Sequence, residues 1–403
     1  MTITQAQPPR GSEPVAAGGP VSPARRRTGR IAGLHVGQVI AVEIAALAVA
    51  LSLHQPMWIV GVVGGAAALV LIAGFGRRQG RWWFEHLLVN RRFKRRARRS
   101  AAAAAQTRTG ALPAALAALA PDLRIAQITD RGNQVGIGQD GDGFFVALAV
   151  TLPRQQPHAL PIPVLERLAA VTTSGNPASA IQIVVHTVPG PSALLHRSAP
   201  AVQSYLELLN GEAVPASRQI WVVIRLDPRD ARTASAARGG GIDGVHRALT
   251  AFAGRVGKAL RGGDVTYRIL DADQLTAAIA TAAGLTGSPT PPREEWARWV
   301  SGEAGHLVFA LTGIPPRSLS GLLQETAQGP VTSTTVAVRM APAAEGALTL
   351  SGVLRVAAAP DGLEEVGTWV RAQADQAGVS MQRLDGQQAV GVYAAAPTAA
   401  GPL

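Results

Sequence analysis

Two uninterrupted apolar stretches, Val36–Leu53 and Met57–Phe75, stand near the start of the chain, separated only by His54-Gln55-Pro56. As helices at ~1.5 Å per residue they would each run about 27–28 Å, close to a hydrocarbon core of ~30 Å. The pattern predicts a two-helix transmembrane hairpin within residues 31–76, since a spanning segment must satisfy its backbone internally. Pro56 falls in the connection, where a missing N–H costs little. Arg25, Arg26, Arg27 and Arg30 precede the pair, and Arg77, Arg78 and Arg81 follow it, while the link carries no Lys or Arg. The positive-inside bias then predicts a two-pass protein of the bacterial inner (cytoplasmic) membrane with both termini cytoplasmic. A secretory signal is the competing reading of the first stretch, but no small-residue cleavage site intervenes before the second. In the second stretch Gly61, Gly64 and Gly65 offer a small-residue face for close helix packing. Glu43 lies inside the first stretch. It reads either as an interhelical or intersubunit hydrogen-bonding group, or as a carboxylate reaching towards the interface.

The pattern then changes three times. Residues 1–30, rich in Pro, Gly, Ala and Arg without apolar periodicity, read as a disordered cytoplasmic tail. Residues 77–110 read as a juxtamembrane segment and an Ala-rich linker. Trp82, Trp83 and Phe84 suit a headgroup region, Leu87 and Leu88 continue the apolar face, and Arg91, Arg92, Lys94, Arg95 and Arg96 make a polybasic run suited to the anionic lipid of a cytoplasmic leaflet.

From residue 111 to 403 strand-like and helix-like periods alternate. Expected strands are 123–129, 134–138, 143–152, 180–187, 219–226 and 265–270, with helices over 164–171, 200–209, 242–260 and 272–283. After the breaker Ser288-Pro289-Thr290-Pro291-Pro292 come a helix at 293–300, a strand at 306–311, a helix at 317–328, strands at 334–340 and 348–358, a helix at 363–376 and a hairpin over 380–394. The fold class expected is a membrane-anchored α/β protein, a transmembrane hairpin followed by a mixed α/β cytosolic domain. That domain is one unit or two lobes divided near 288–292. Antiparallel pairs recur on both sides of the breaker, which hints at an internal duplication.

Charge sharpens this division. The formal charge is +12, but residues 1–108 hold 16 Lys and Arg against three acidic residues, and the remainder is nearly neutral. A nucleic-acid-binding domain would concentrate positive charge on its own surface, so nucleic acid is not expected as a partner. The absence of cysteine excludes disulfides, thiolate nucleophiles and Cys-ligated metals.

Candidate chemistry is thin. Asp140-Gly141-Asp142 sits between two apolar strands, where Asp and Gly serve a hairpin turn. Asp271-Ala272-Asp273 follows a strand and opens a helix. It supports an alternative reading, a membrane-tethered glycosyltransferase-like enzyme holding a divalent cation through Asp271 and Asp273, against the plainer role of Asp271 as a helix N-cap. Arg238-Gly239-Gly240-Gly241 precedes a long helix without the context of a phosphate-binding fingerprint. The eight histidines are scattered, and His186 is expected to pack a loop. Trp296 and Trp299 would share a helix face, as core or as a protein contact.

Several stretches carry a resemblance to a known family. They are Gly136-Ile137-Gly138-Gln139-Asp140-Gly141-Asp142-Gly143, His186-Thr187-Val188-Pro189-Gly190-Pro191, Trp221-Val222-Val223-Ile224-Arg225-Leu226-Asp227-Pro228, Ala237-Arg238-Gly239-Gly240-Gly241, Arg293-Glu294-Glu295-Trp296 and Arg383-Leu384-Asp385-Gly386-Gln387-Gln388. In this order, after an N-terminal apolar hairpin, they resemble EccE, a membrane component of the actinobacterial type VII (ESX) secretion apparatus. The resemblance implies a structural and interaction subunit in a hetero-oligomeric core complex with EccB-, EccC- and EccD-like partners, EccC being the ATPase. It implies no enzyme activity, no cofactor and no catalytic or metal-binding residues.

Overall fold

The computed structural model describes residues 30–31, 34–75, 77–78, 81–106, 113–152, 162–174, 180–190, 200–208, 214–286, 291–313, 318–343 and 347–401. The expected N-terminal tail lies outside the described residues, Arg30 excepted. Two small hairpins, β1 (Arg30–Ile31) with β2 (Leu34–His35) and β3 (Arg77–Arg78) with β4 (Arg81–Trp82), bracket helices α1 (Val36–Ser52) and α2 (Met57–Phe75). Helix α3 (Trp83–Gln106) runs through the basic stretch and the alanines expected as a linker.

The two apolar stretches are helical, but the membrane-anchored fold class is corrected. Among the described residues no helix is long and apolar enough to cross a membrane. Helix α1 has 17 residues, about 25 Å at ~1.5 Å per residue, and stops short of Leu53. The two-pass inner-membrane localisation with cytoplasmic termini rested on those spans and is corrected with them. A Cβ built at Gly61, Gly64 or Gly65 would meet no atom within 4 Å.

The bulk of the chain is one large antiparallel sheet of 12 strands with helices on both faces. Its first half comprises α4 (Ala114–Leu119), β5 (Arg124–Asp130), β6 (Asn133–Asp140), β7 (Gly143–Thr151), α5 (Ile162–Ser174), β8 (Ala180–Gly190), α6 (Pro200–Leu208), β9 (Val214–Leu226), α7 (Pro228–Ala236), α8 (Gly241–Arg261), β10 (Thr266–Ile269) and α9 (Ala272–Ala282). The second comprises β11 (Arg293–Glu294), β12 (Trp299–Ser301), β13 (Ala304–Gly313), α10 (Ser318–Gln328), β14 (Ser333–Pro342), β15 (Leu348–Ala358), α11 (Leu363–Gln376), β16 (Ser380–Arg383) and α12 (Gln388–Ala395).

The hinted duplication is visible in the order of pairing. β8 and β14 lie side by side in the middle. Outward from β8 run β9, β7, β6 and β5, with β10 sharing the outer edge of β7 with β6. Outward from β14 run β15, β13, β12 and β11, with β16 sharing the outer edge of β13 with β12. Helices α5, α8 and α9 fall in the first series where α10, α11 and α12 fall in the second. Like strands meeting antiparallel at the centre are what a two-fold axis normal to a sheet produces.

Strand alternation builds two cores. Ile220, Val222 and Ile224 of β9 face one layer with Val146, Leu307, Phe309 and the buried sides of α5, α8, α10 and α11. Trp221 and Val223 face the other with Phe145, Val308 and the buried sides of α4, α9 and α12.

Two expected elements are different. The helix at 293–300 is a tight hairpin, β11 and β12. The final hairpin is a strand, β16, followed by helix α12.

Candidate functional site: the seat of the basic helix and two buried polar clusters

Helix α3 is seated on one end of the sheet. His86, Val89, Phe93 and Arg96 recur at spacings of three and four, so they line one helix face. That face meets the β11–β12 turn and the loop before α12. The Trp296 ring lies 4.9 Å from His86 and 5.7 Å, edge-on, from Phe93. Val89 is buried. Arg96 donates to both oxygens of Glu294, at 3.2 and 3.1 Å, and to the Gly386 carbonyl. A two-point guanidinium–carboxylate pair fixes orientation as well as charge. Glu294, only 5% exposed, also accepts from the Ala389 backbone N–H at 3.0 Å, in the first turn of α12. One carboxylate therefore ties α3, β11 and α12 together. Gly386 closes the seat with φ 71°; a Cβ there would come 2.6 Å from Trp296 and 2.8 Å from Val89.

The other side of α3 is open. Arg91, Arg92, Lys94, Arg95, Arg98 and Arg99 are exposed, as are Leu87 and Leu88 at 50% and 47%. The sequence reading grouped Arg96 with those outward cations, but it turns inwards. Arg77 and Arg78 form β3, and Trp82 ends β4 just before Trp83 and Phe84 open α3; their side chains lie outside the described residues. Glu43 is exposed on α1.

The two buried clusters are structural in their chemistry. In the first, Arg225 of β9 donates to both oxygens of Asp140, one of these at 3.1 Å, and to the Thr398 carbonyl at 2.8 Å. The Tyr393 hydroxyl donates to Asp140 at 2.7 Å. Burial, together with the Asp140 charge, pushes the Tyr393 phenol well above its usual range. Asp140 also accepts from the Asp142 N–H at 2.9 Å, closing the expected turn.

In the second, Arg355 of β15 is fully buried, and no carboxylate is paired with it among the described residues. Burial pulls its guanidinium down to about 9. It reaches His306 Nδ1 at 2.6 Å and donates to the Thr335 hydroxyl at 2.9 Å. His306 Nε2 lies 2.8 Å from the Ser301 hydroxyl, which donates to the Gly284 carbonyl. This has the outline of a nucleophile–base pair with the opposite polarity. A guanidinium only donates, so Nδ1 of His306 accepts and Nε2 carries the proton. A catalytic histidine needs its Nε2 lone pair facing the hydroxyl and an acid behind it. Burial, then the Arg355 charge, holds His306 well below its ordinary value and His186 down at about 3. His186 lies in β8, not a loop, with Nδ1 2.9 Å from Thr335.

Other sequence candidates have local duties. Asp271 caps α9 in a full capping box with Gln274, while Asp273 is exposed. Among the described residues no group of three or more His, Asp or Glu is placed to hold a metal ion. The Gly239–Gly241 loop joins α7 to α8 and is occupied internally: Arg247 donates to the Arg238 carbonyl and Ser235 to that of Gly241.

The segment from β9 to β13, which supplies Arg225, Glu294, Trp296, Ser301 and His306, also carries the family signature. Residues 214–311 match the EccE family model, described as a putative type VII ESX secretion system translocon. The resemblance seen in the sequence is shown over those residues. The match supports a component of a type VII secretion translocon. No curated protein matches the chain.

Sequence reasoning missed the seat itself. Its signal was present in the 86, 89, 93, 96 spacing and in the inward Glu294, but the helix expected over 293–300 concealed the partner.

Proposed function

We propose that the chain is a structural, interaction-type subunit of a type VII secretion core complex, meeting EccB-, EccC- and EccD-like subunits and performing no catalytic step. The observation that carries this reading is the family match across residues 214–311. The chemistry of the buried clusters agrees with it, because their polar groups are consumed by one another. The organisation supporting that role is a basic helix docked on a two-repeat α/β domain. The outward cations Arg91, Arg92, Lys94 and Arg95, beside exposed Leu87 and Leu88, suit anionic phospholipid headgroups within that assembly. Affinity purification of the tagged full-length chain from its native host should recover a secretion ATPase and the other core subunits. Recovery of none of them would overturn the reading. Reversing Arg91, Arg92, Lys94 and Arg95 to Glu should abolish sedimentation with anionic, but not zwitterionic, vesicles.

A further inference from the structure

The sheet has two unlike ends. At one, β11 is two residues long and α3 sits against it through Glu294 and Trp296. At the other, β5 presents a seven-residue edge that no described strand pairs. The direction of its free groups follows from one hydrogen bond. Gly136 of β6 lies opposite Gln127, yet its N–H donates the other way, to the Leu270 carbonyl at 2.8 Å. The Gln127–Gly136 pair is thus a non-hydrogen-bonded pair of the ladder, and the N–H and C=O of Gln127 point outwards. By the two-residue alternation, so do those of Ile125 and Thr129. Exposed edges of this kind are usually blunted by Lys, Pro or a bulge. Arg124-Ile125-Ala126-Gln127-Ile128-Thr129-Asp130 has no Lys or Pro, and its register with β6 is unbroken.

The strand is also complementary to itself in charge. We propose that the β5 edge joins two copies of this chain by antiparallel β5–β5 pairing centred on Gln127, making one continuous sheet. In that register Gln127 faces its own copy as a hydrogen-bonded pair, and Ile125 faces Thr129 in the same way. Arg124 of each copy then stands beside Asp130 of the other, at the close non-hydrogen-bonded position where opposite charges favour pairing. Neither Arg124 nor Asp130 forms an ion pair among the described residues, so both are free for the partner. The contact is isologous and closes after two copies. It uses a surface remote from the α3 seat, so its failure would leave the translocon reading standing.

The test is sedimentation equilibrium on the purified full-length chain, with charge reversals. The wild type should dimerise. Arg124→Asp, which sets like charges opposite at two symmetric places, should weaken the dimer by about tenfold or more. The double reversal Arg124→Asp with Asp130→Arg should restore it. The chain has no cysteine, so Gln127→Cys gives a clean reporter. Directly opposed hydrogen-bonded residues sit ~5.5 Å apart between Cα atoms, within disulfide reach, and mild oxidation should link the copies. Cysteine in place of Asn133, at the hairpin turn, should not link them. A chain that stays monomeric, or a dimer indifferent to Arg124→Asp, would overturn the proposal, as would failure of the double reversal to restore a dimer that Arg124→Asp had broken.

Discussion

Asp140 and Asp142 stand two residues apart in one turn, yet they answer to different physics. Asp140 is buried against Arg225 and Tyr393, whereas Asp142 is exposed. Asp140→Asn leaves a buried guanidinium without its counter-charge and should cost about 3–5 kcal/mol in urea unfolding; Asp142→Asn should stay within about 0.5 kcal/mol. Gly386→Ala should cost about 1–3 kcal/mol, because the added carbon meets Trp296 and Val89 at a positive φ. The buried histidines set an acid limit. Native His186 and His306 stay neutral while their unfolded counterparts protonate below about 6.5, so their stabilisation is intact above that pH. It is lost as pH falls towards about 3, the native value of His186. Asp230, raised to about 6 by burial and then by Asp227, acts oppositely, weakening the fold as pH rises from 3.8 to about 6. It is one half-exposed group against two buried ones, so the urea midpoint should fall between pH 7 and pH 4.5, and fall less in His186→Asn.

Elements with strong periodicity were legible in the sequence, and those defined by contact were not. Strand β7 was expected over 143–152 and is found at Gly143–Thr151; helix α8 was expected over 242–260 and is found at Gly241–Arg261. Both present an unbroken apolar face at one period. Trp296 and Trp299 misled, because a spacing of three mimics a helix and strands of two and three residues are too short to show alternation. In fact Trp299 turns into the core opposite His306, while Trp296 stays on the turn to meet α3. Gln388-Ala389-Val390-Gly391-Val392-Tyr393 reads as a strand by propensity. It is helical because tertiary contacts override propensity: Glu294 accepts from the Ala389 N–H, and the Gln388 side chain accepts from the Val308 N–H. The seat of α3 makes an element-scale prediction. Arg96→Ala should release the helix, so that limited proteolysis cuts between α3 and β5 faster than in the wild type, with little change in the unfolding midpoint of the sheet.

At the scale of the molecule the repeat is more than a similarity of order. Arg355, in the second series, stands against the turn that follows α9 of the first: the Ser301 hydroxyl beside its histidine donates to Gly284, and Thr335 to Ala282. Arg225, in the first series, donates to Thr398, which follows α12 of the second. The second series thus hands a terminal carbonyl to Arg225, while the first hands its last carbonyls to the Ser301 and Thr335 hydroxyls that surround Arg355. The first series synthesised alone would leave Arg225 without its Thr398 partner, and the second would leave the hydroxyls around Arg355 without their acceptors, an arrangement that hydration would favour opening. The two therefore behave as obligate halves. Polypeptides ending at Thr286 and beginning at Pro291, each unfolded in isolation, should regain structure when mixed, in the manner of a severed hinge whose leaves still interlock.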